Sequence, residues 1–454
     1  MATATSSVTP DLIRYLAHAA TSPVPPPVLA KAKNHILDTI AAMISGTTIK
    51  PGQFALRYIA QLGGNPEAQV VGSRIVTSAI NAAIANGMLA HSDETDDSNG
   101  SAGLHPGCAI IPAALAMAER ENAGGEAFLR AVILGYDIGS RTNKALGRDA
   151  MRKRNHLPFS IGGTMGATAA AGSIARLNEE QFRHLLSCGA QQASGVMTYA
   201  RDTEHIEKAF IFGGMPARNG VTAATLLQNG YTGVYDVFAG DGNFLLAYAE
   251  AADARELTAE LGSRYEVMLT NIKKYCVGFP IQSAIEGLLT LMAEHQLKAD
   301  QVEKIAVRLP ESGAHTVNDR EMPDINLQYV FAVTLLDGRL TFEAAHSFER
   351  MKDAKVLELK KKMTLTGDPE LTRARPEHQA IVQVTTRDGR QLDKRVTTFK
   401  GKSESPLTTP EVEEKADELL EPVLGKARTR QLIDAISKLE TLASMRDLRP
   451  LLSA

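Results

Sequence analysis

Two hydrophobic rhythms divide this chain. In the first part, apolar positions recur at helical spacing over 27–44, 52–62, 77–97, 110–121, 125–146, 162–176, 178–193 and 216–229. Short Gly, Pro and Asn turns separate these stretches. Thr9-Pro10-Asp11 reads as the start of a first helix, with Thr9 as its N-cap. Near residue 270 the rhythm shortens to alternation. Residues 304–309, 380–386 and 392–398 read as strands, the last two joined by the hairpin turn Arg387-Asp388-Gly389-Arg390. Helical pieces fill about 328–362, and amphipathic helices return at 410–424 and 427–442. The pattern predicts a mainly α protein with an inserted α+β domain. A large helical domain would be built from both chain ends (1–268 and 405–454), with the smaller α+β domain at 269–404.

A chain of 454 residues can bury a large core and form more than one domain. The net charge of −3, without a long basic run, argues against nucleic acid as a partner. Cys108, Cys188 and Cys276 lie far apart, so neither a disulfide framework nor a thiolate zinc site is expected. The longest apolar runs, such as 109–118, are too short to span a bilayer. The N-terminus has no basic-then-apolar signal pattern. A soluble, cytoplasmic protein without membrane partners is the expectation. The alanine-rich run 109–118 fits either a core or a subunit interface.

Candidate chemistry concentrates where the 77–97 pattern ends. Two histidines and four carboxylates fall within residues 91–105, next to small apolar residues on both sides. Charged groups against a packed interior are costly unless paired or used. If 77–97 is one helix, then His91, Glu94 or Thr95, and Ser98 share a face. An imidazole beside carboxylates can act as acid or base near neutral pH. The plainer reading is a polar helix end whose carboxylates bond loop amides. Further along, His156 precedes a helix start, a place suited to an anion. The run Gly162-Gly163-Thr164-Met165-Gly166-Ala167 lacks phosphate-loop spacing, so its glycines read as packing positions. Lys208 and the pair Lys273-Lys274, before Tyr275, are lysines off any evident solvated face. They are candidates to hold carboxylates. Glu94, Asp96 and Asp97 could instead hold Mg²⁺ through oxygen ligands. The carbocation chemistry that goes with such clusters wants aromatic walls, and this chain is 5% aromatic with no tryptophan.

Several of these pieces, taken in order, resemble the MmgE/PrpD family. They are the HxxxxDD…HP stretch at 91–106, Gly135-Tyr136-Asp137-Ile138, Asn155-His156, Ala217-Arg218-Asn219-Gly220 and Leu335-Leu336-Asp337-Gly338. The family includes 2-methylcitrate dehydratase, cis-aconitate decarboxylase and iminodisuccinate epimerase. The resemblance implies a helical domain plus a lid domain, a homodimer, and chemistry on small polycarboxylates with no cofactor and no metal. Carried over by motif, the site comprises Glu94, Ser98, His105, His156, Lys208 and Lys273, with His91, Tyr275 and Gln282 as further substrate contacts. Glu94 and Ser98 stand where decarboxylase-like members have Asp and Thr. Gln282 aligns near a position that often holds histidine. In this reading Lys208 and Lys273 hold substrate carboxylates while His105 or His156 moves a proton. A cofactor-independent lyase, dehydratase or decarboxylase, is ranked first. An isomerase or epimerase on the same groups is the alternative, and a non-catalytic carboxylate binder the third.

Overall fold

The computed structural model describes residues 6–454. The expectation about a signal sequence falls partly on residues 1–5, outside the described residues. The chain divides into two compact units. The first runs up to Ser92, then over Asp96–Asn271 and Thr408–Ala454; the second is Asp93–Thr95 with Ile272–Leu407. Among the described residues no helix is long and apolar enough to cross a membrane.

The first unit is a helical array: α1 (Thr9–His18), α2 (Pro26–Gly46), α3 (Lys50–Ala60), α4 (Ala79–Ala90), α5 (Pro106–Arg120), α6 (Gly125–Leu146), α7 (Pro158–Ile174), α8 (Glu179–Gln192) and α9 (Met215–Gln228). Helices Thr409–Leu424 and Lys426–Ser437, from the chain's end, join it. The central helices α4, α5 and α7 carry almost no polar face and are buried nearly all round. A helix apolar on every side belongs in the middle of a core. Small residues let these helices approach closely. A methyl group on Gly166 of α7 would lie 2.6 Å from the carbonyl oxygen of Gly135 on α6, and one on Gly135 would lie 2.9 Å from that of Gly166. The run 109–118 is fully covered within the single chain, so its alanines serve the core and present no face to a second subunit.

Thr9 does not cap α1. It is the helix's first residue, preceded by Val8 in helical geometry, and its hydroxyl donates instead to Asp236 Oδ1 at 2.8 Å.

The second unit is built on a four-stranded sheet. Its strands are β1 (Val302–Pro310), β2 (Met363–Asp368), β3 (Ala380–Thr386) and β4 (Gln391–Val396), in the order β2-β1-β3-β4. β1 pairs antiparallel with β3, Val307 opposite Val382, and β3 with β4 through the expected hairpin. β2 lies parallel to β1. A parallel neighbour needs a crossover, and the helices at Glu311–Val317, Leu327–Asp337 and Ala354–Lys360 supply it. The helix Gln282–His295 packs on β3 and β4, and its Ile285 and Leu288 enter a core with Val307, Val382 and Val384.

Candidate active site

The helix expected over 77–97 stops at Ala90. His91 leaves helical geometry at φ −117°, ψ 35°. Asp93 Oδ1 accepts the Thr95 amide at 2.7 Å, a local turn that competes with the next helical hydrogen bonds. His91, Glu94 and Ser98 therefore do not share a helix face. Asp93–Thr95 groups with the second unit, whereas His91 and Ser98 belong to the first.

Within the first unit, the loop turns two adjacent carboxylates to different tasks. Asp97 Oδ2 accepts from the Tyr136 hydroxyl and contacts His35 Nδ1, both at 2.6 Å. Its Oδ1 accepts the Gly107 amide at 2.8 Å. That amide lies in the first turn of α5, where backbone donors lack helical partners and the dipole favours a negative charge. Burial and the charge of Asp97 push the Tyr136 hydroxyl well above the usual phenol range, which keeps it a donor. His105 is the residue that leads into α5. Asp97 thus fixes the helix start on which His105 sits.

Asp96 serves the histidines. Its Oδ2 lies 3.0 Å from His91 Nδ1 and 3.2 Å from His105 Nδ1. A wall of aromatic rings backs this group. The Phe212 ring stacks with His91 (centroids 4.5 Å apart, 11° between planes) and with Phe159 at 4.5 Å. The edges of His105 and Tyr199 meet it at 5.6 and 4.9 Å. Lys208 Nζ lies 5.5 Å from the centre of the same ring, a cation–π contact. Phe212 sits in a π-helical turn, Phe210–Gly214, between the short helix carrying Lys208 and α9. Such turns recur at functional sites. His205, buried and in left-handed geometry at φ 62°, brings its ring to 5.3 Å from His91. Phe159, His205 and Phe212 are not marked by the sequence, and Asp96 is marked there only as a possible cation ligand and a motif position. The HxxxxDD spacing exposes Asp96, but nothing local marks Phe159, His205 and Phe212.

His156 has different surroundings. It is half-buried, its backbone bridges to Val196, and its ring meets the edge of Tyr248 at 5.1 Å. Partial burial and then the neighbouring Arg154 charge lower its pKa, so it is neutral near pH 7. Ser98 pairs its backbone with Asn271, and its buried hydroxyl makes no hydrogen bond to the described residues.

In the second unit the structure brings Glu94 and Lys273 together. Lys273, 1% exposed, donates to the Glu94 carbonyl oxygen at 2.6 Å and lies 3.3 Å from its carboxylate. Gln282 acts as a backbone clasp. Its amide nitrogen donates to the carbonyls of Tyr275 (2.7 Å) and Val277 (2.9 Å), and its oxygen accepts the Tyr275 amide at 3.2 Å. Both amide hydrogens are thereby used on the chain itself. Burial, then Glu286, raise the Tyr275 hydroxyl pKa, so it stays protonated.

His91, Asp96 and His105 each offer a ligand atom, all within 4.8 Å of one another, and this set could also hold a cation. The same distances suit hydrogen bonds between a carboxylate and two imidazoles.

A helical array joined to a sheet unit, with histidines on a carboxylate loop, matches a known class. The chain belongs to the MmgE/PrpD family: the MmgE/PrpD N-terminal domain matches residues 10–257, and the C-terminal domain residues 275–441. Among its relatives is a cis-aconitate decarboxylase-like protein, oryM, of Aspergillus oryzae. It is 26% identical, over 98% of this chain and 97% of its own. The cis-aconitate decarboxylase of Homo sapiens is 28% identical, over 91% and 88%. A 2-methylcitrate dehydratase-like protein, oryR, of Aspergillus oryzae is 29% identical over 36% of each chain.

Proposed function

We propose that this protein is a lyase that works without a cofactor. It would dehydrate or decarboxylate a small di- or tricarboxylic acid by moving a proton at the carbon α to a carboxylate. The observation that carries this reading is a base and a cation that both contact one aromatic ring. His105, held by Asp96, and Lys208 both address the Phe212 ring within the first unit. The end-to-end likeness to cis-aconitate decarboxylases supports the same class of substrate. In dehydration, His105 takes the α-proton and the electron pair flows into the substrate's carboxylate. The Lys208 ammonium stabilises the enolate-like charge. The fraction of His156 that is protonated, made the more acidic by its lowered pKa, then delivers a proton to the departing hydroxyl. In decarboxylation, carbon dioxide leaves first, and the carbanion takes the Nε2 proton of His105 in its imidazolium form, which returns to the neutral base. Lys273 acts by neutralising Glu94. Gln282 and Tyr275 act through the clasped backbone at 275–277.

The test is proton NMR of the EDTA-treated protein in D₂O with citrate, 2-methylcitrate, cis- and trans-aconitate, malate, citramalate and iminodisuccinate. Release of water or carbon dioxide establishes the lyase and names its substrate. Deuterium entering an α-position without net conversion would replace it with an epimerase. Turnover only on adding Mg²⁺ would favour the cation reading of the same loop.

A further inference from the structure

We propose that Asp96 is a positioning residue: it holds His105 with its proton on Nδ1, so that Nε2 is the atom offered to substrate as base. His91 is the second arm of that clamp. This inference rests on the reading of His105 as the group that moves the proton.

A carboxylate only accepts hydrogen bonds, so each imidazole nitrogen turned toward it is a donor. Nδ1 of His91 and Nδ1 of His105 both face Asp96 Oδ2, at 3.0 and 3.2 Å. A neutral imidazole with its proton on Nδ1 carries a lone pair on Nε2. The two rings differ in access. The His91 side chain is fully buried and lies flat on Phe212, whereas the His105 side chain keeps 10% of its surface exposed. His91 therefore braces the carboxylate and does not meet substrate, and His105 is the arm that can. In the step itself the substrate C–H bond breaks and its electron pair enters the enolate. The proton binds His105 Nε2, and Asp96 keeps its charge beside the imidazolium formed. The same logic operates wherever a buried carboxylate sets a catalytic histidine's tautomer. Charged and titratable groups around the clamp are His205 beside His91, Lys208 across the Phe212 ring, Asp97 next in the chain, and Asp38, whose charge Asp96 influences.

The experiment begins with the ligand-free, full-length protein labelled with ¹⁵N-histidine. Two-bond ¹H–¹⁵N spectra report the tautomer of each of the eleven histidines, and His105→Gln identifies the signals of His105. We expect His105 to carry its proton on Nδ1. A proton on Nε2 overturns the proposal whatever the activity, and this readout needs no variant of Asp96 to fold. With a turned-over substrate, Asp96→Asn should lower kcat roughly 100-fold, the lower end of what positioned acid–base groups supply, with little change in KM. The acid limb of its kcat/KM profile should move to lower pH, and Asp96→Glu should recover part of the rate. A lowered Tm with the acid limb unmoved would reduce Asp96 to a structural role. Turnover retained by His105→Gln would sink the underlying reading of His105, and with it the part of Asp96 in catalysis.

Discussion

His105 and His156 occupy the same kind of place. Each lies just ahead of a proline-started helix, α5 at Pro106 and α7 at Pro158. Their surroundings make them different groups. His105 has a buried carboxylate at Nδ1 and aromatic rings along its edge. His156 has a tyrosine edge, a neighbouring arginine and more open surroundings. Position in the fold sets only where an imidazole stands. The partner at its second nitrogen decides whether it is a directed base or a weakly held, neutral acid–base group.

The largest effect that tests this contrast is on turnover. His105→Ala should lose about 10⁴-fold in kcat/KM, and His156→Ala about 10²-fold, the two ends of the range for acid–base residues. Equal losses, or the reverse order, in the NMR assay would break the comparison. Next comes stability. Asp97→Ala would leave Tyr136, His35 and the Gly107 amide without their acceptor in the interior, at about 3 kcal/mol or more. On the His156 side, Tyr248→Phe removes one hydrogen bond to the Ala193 carbonyl and should cost about 1 kcal/mol. Urea denaturation of the two variants measures the difference.

A further effect on stability is expected with pH. Asp38 is fully buried, and burial outweighs its Lys415 partner, so its pKa rises from 3.8 to about 6. Between those values the folded chain binds more proton than the unfolded one. This contribution to stability is therefore present at low pH and is lost as pH rises through about 6. Asp38→Asn should flatten that part of the stability–pH curve, and an unchanged slope would show that Asp38 is not its source. The smallest effect is a titration: the His156 ring should show a midpoint below 6.5 by NMR. A midpoint above it would mean a negative partner that this comparison denies.

The sequence made much of the fold legible, for reasons that can be named. α6 and β3 fall where their periods placed them, at Gly125–Leu146 and Ala380–Thr386, because each pattern is long and unbroken. Apolar period alone extends this helix past Ala90. Short polar side chains such as Asp93 bond their own backbone and end a helix that composition would extend. β2 leaves no local signal because its parallel partner, β1, lies some sixty residues away. The site was legible in its motif residues only. Asp96 could be read from its spacing, but its bonds to two histidines could not. Phe159, His205 and Phe212 gain their meaning from contacts between segments over a hundred residues apart in places, which periodicity cannot report.

The π-helical turn at Phe210–Gly214 has a consequence for how this protein can change over time. Such a turn is an α-helix with one residue too many. Each residue added to or removed from a helix rotates everything upstream by about 100° and shifts it by about 1.5 Å. Bare backbone meets bare backbone here, since a methyl on Gly213 would strike the Gly87 carbonyl oxygen at 2.0 Å, so the downstream half cannot turn to compensate. The bearing of Lys208 is therefore written in the length of this segment as much as in the identity of its residues. Descendants could exchange many side chains here and keep the lysine aimed, but a single-codon deletion would swing it away.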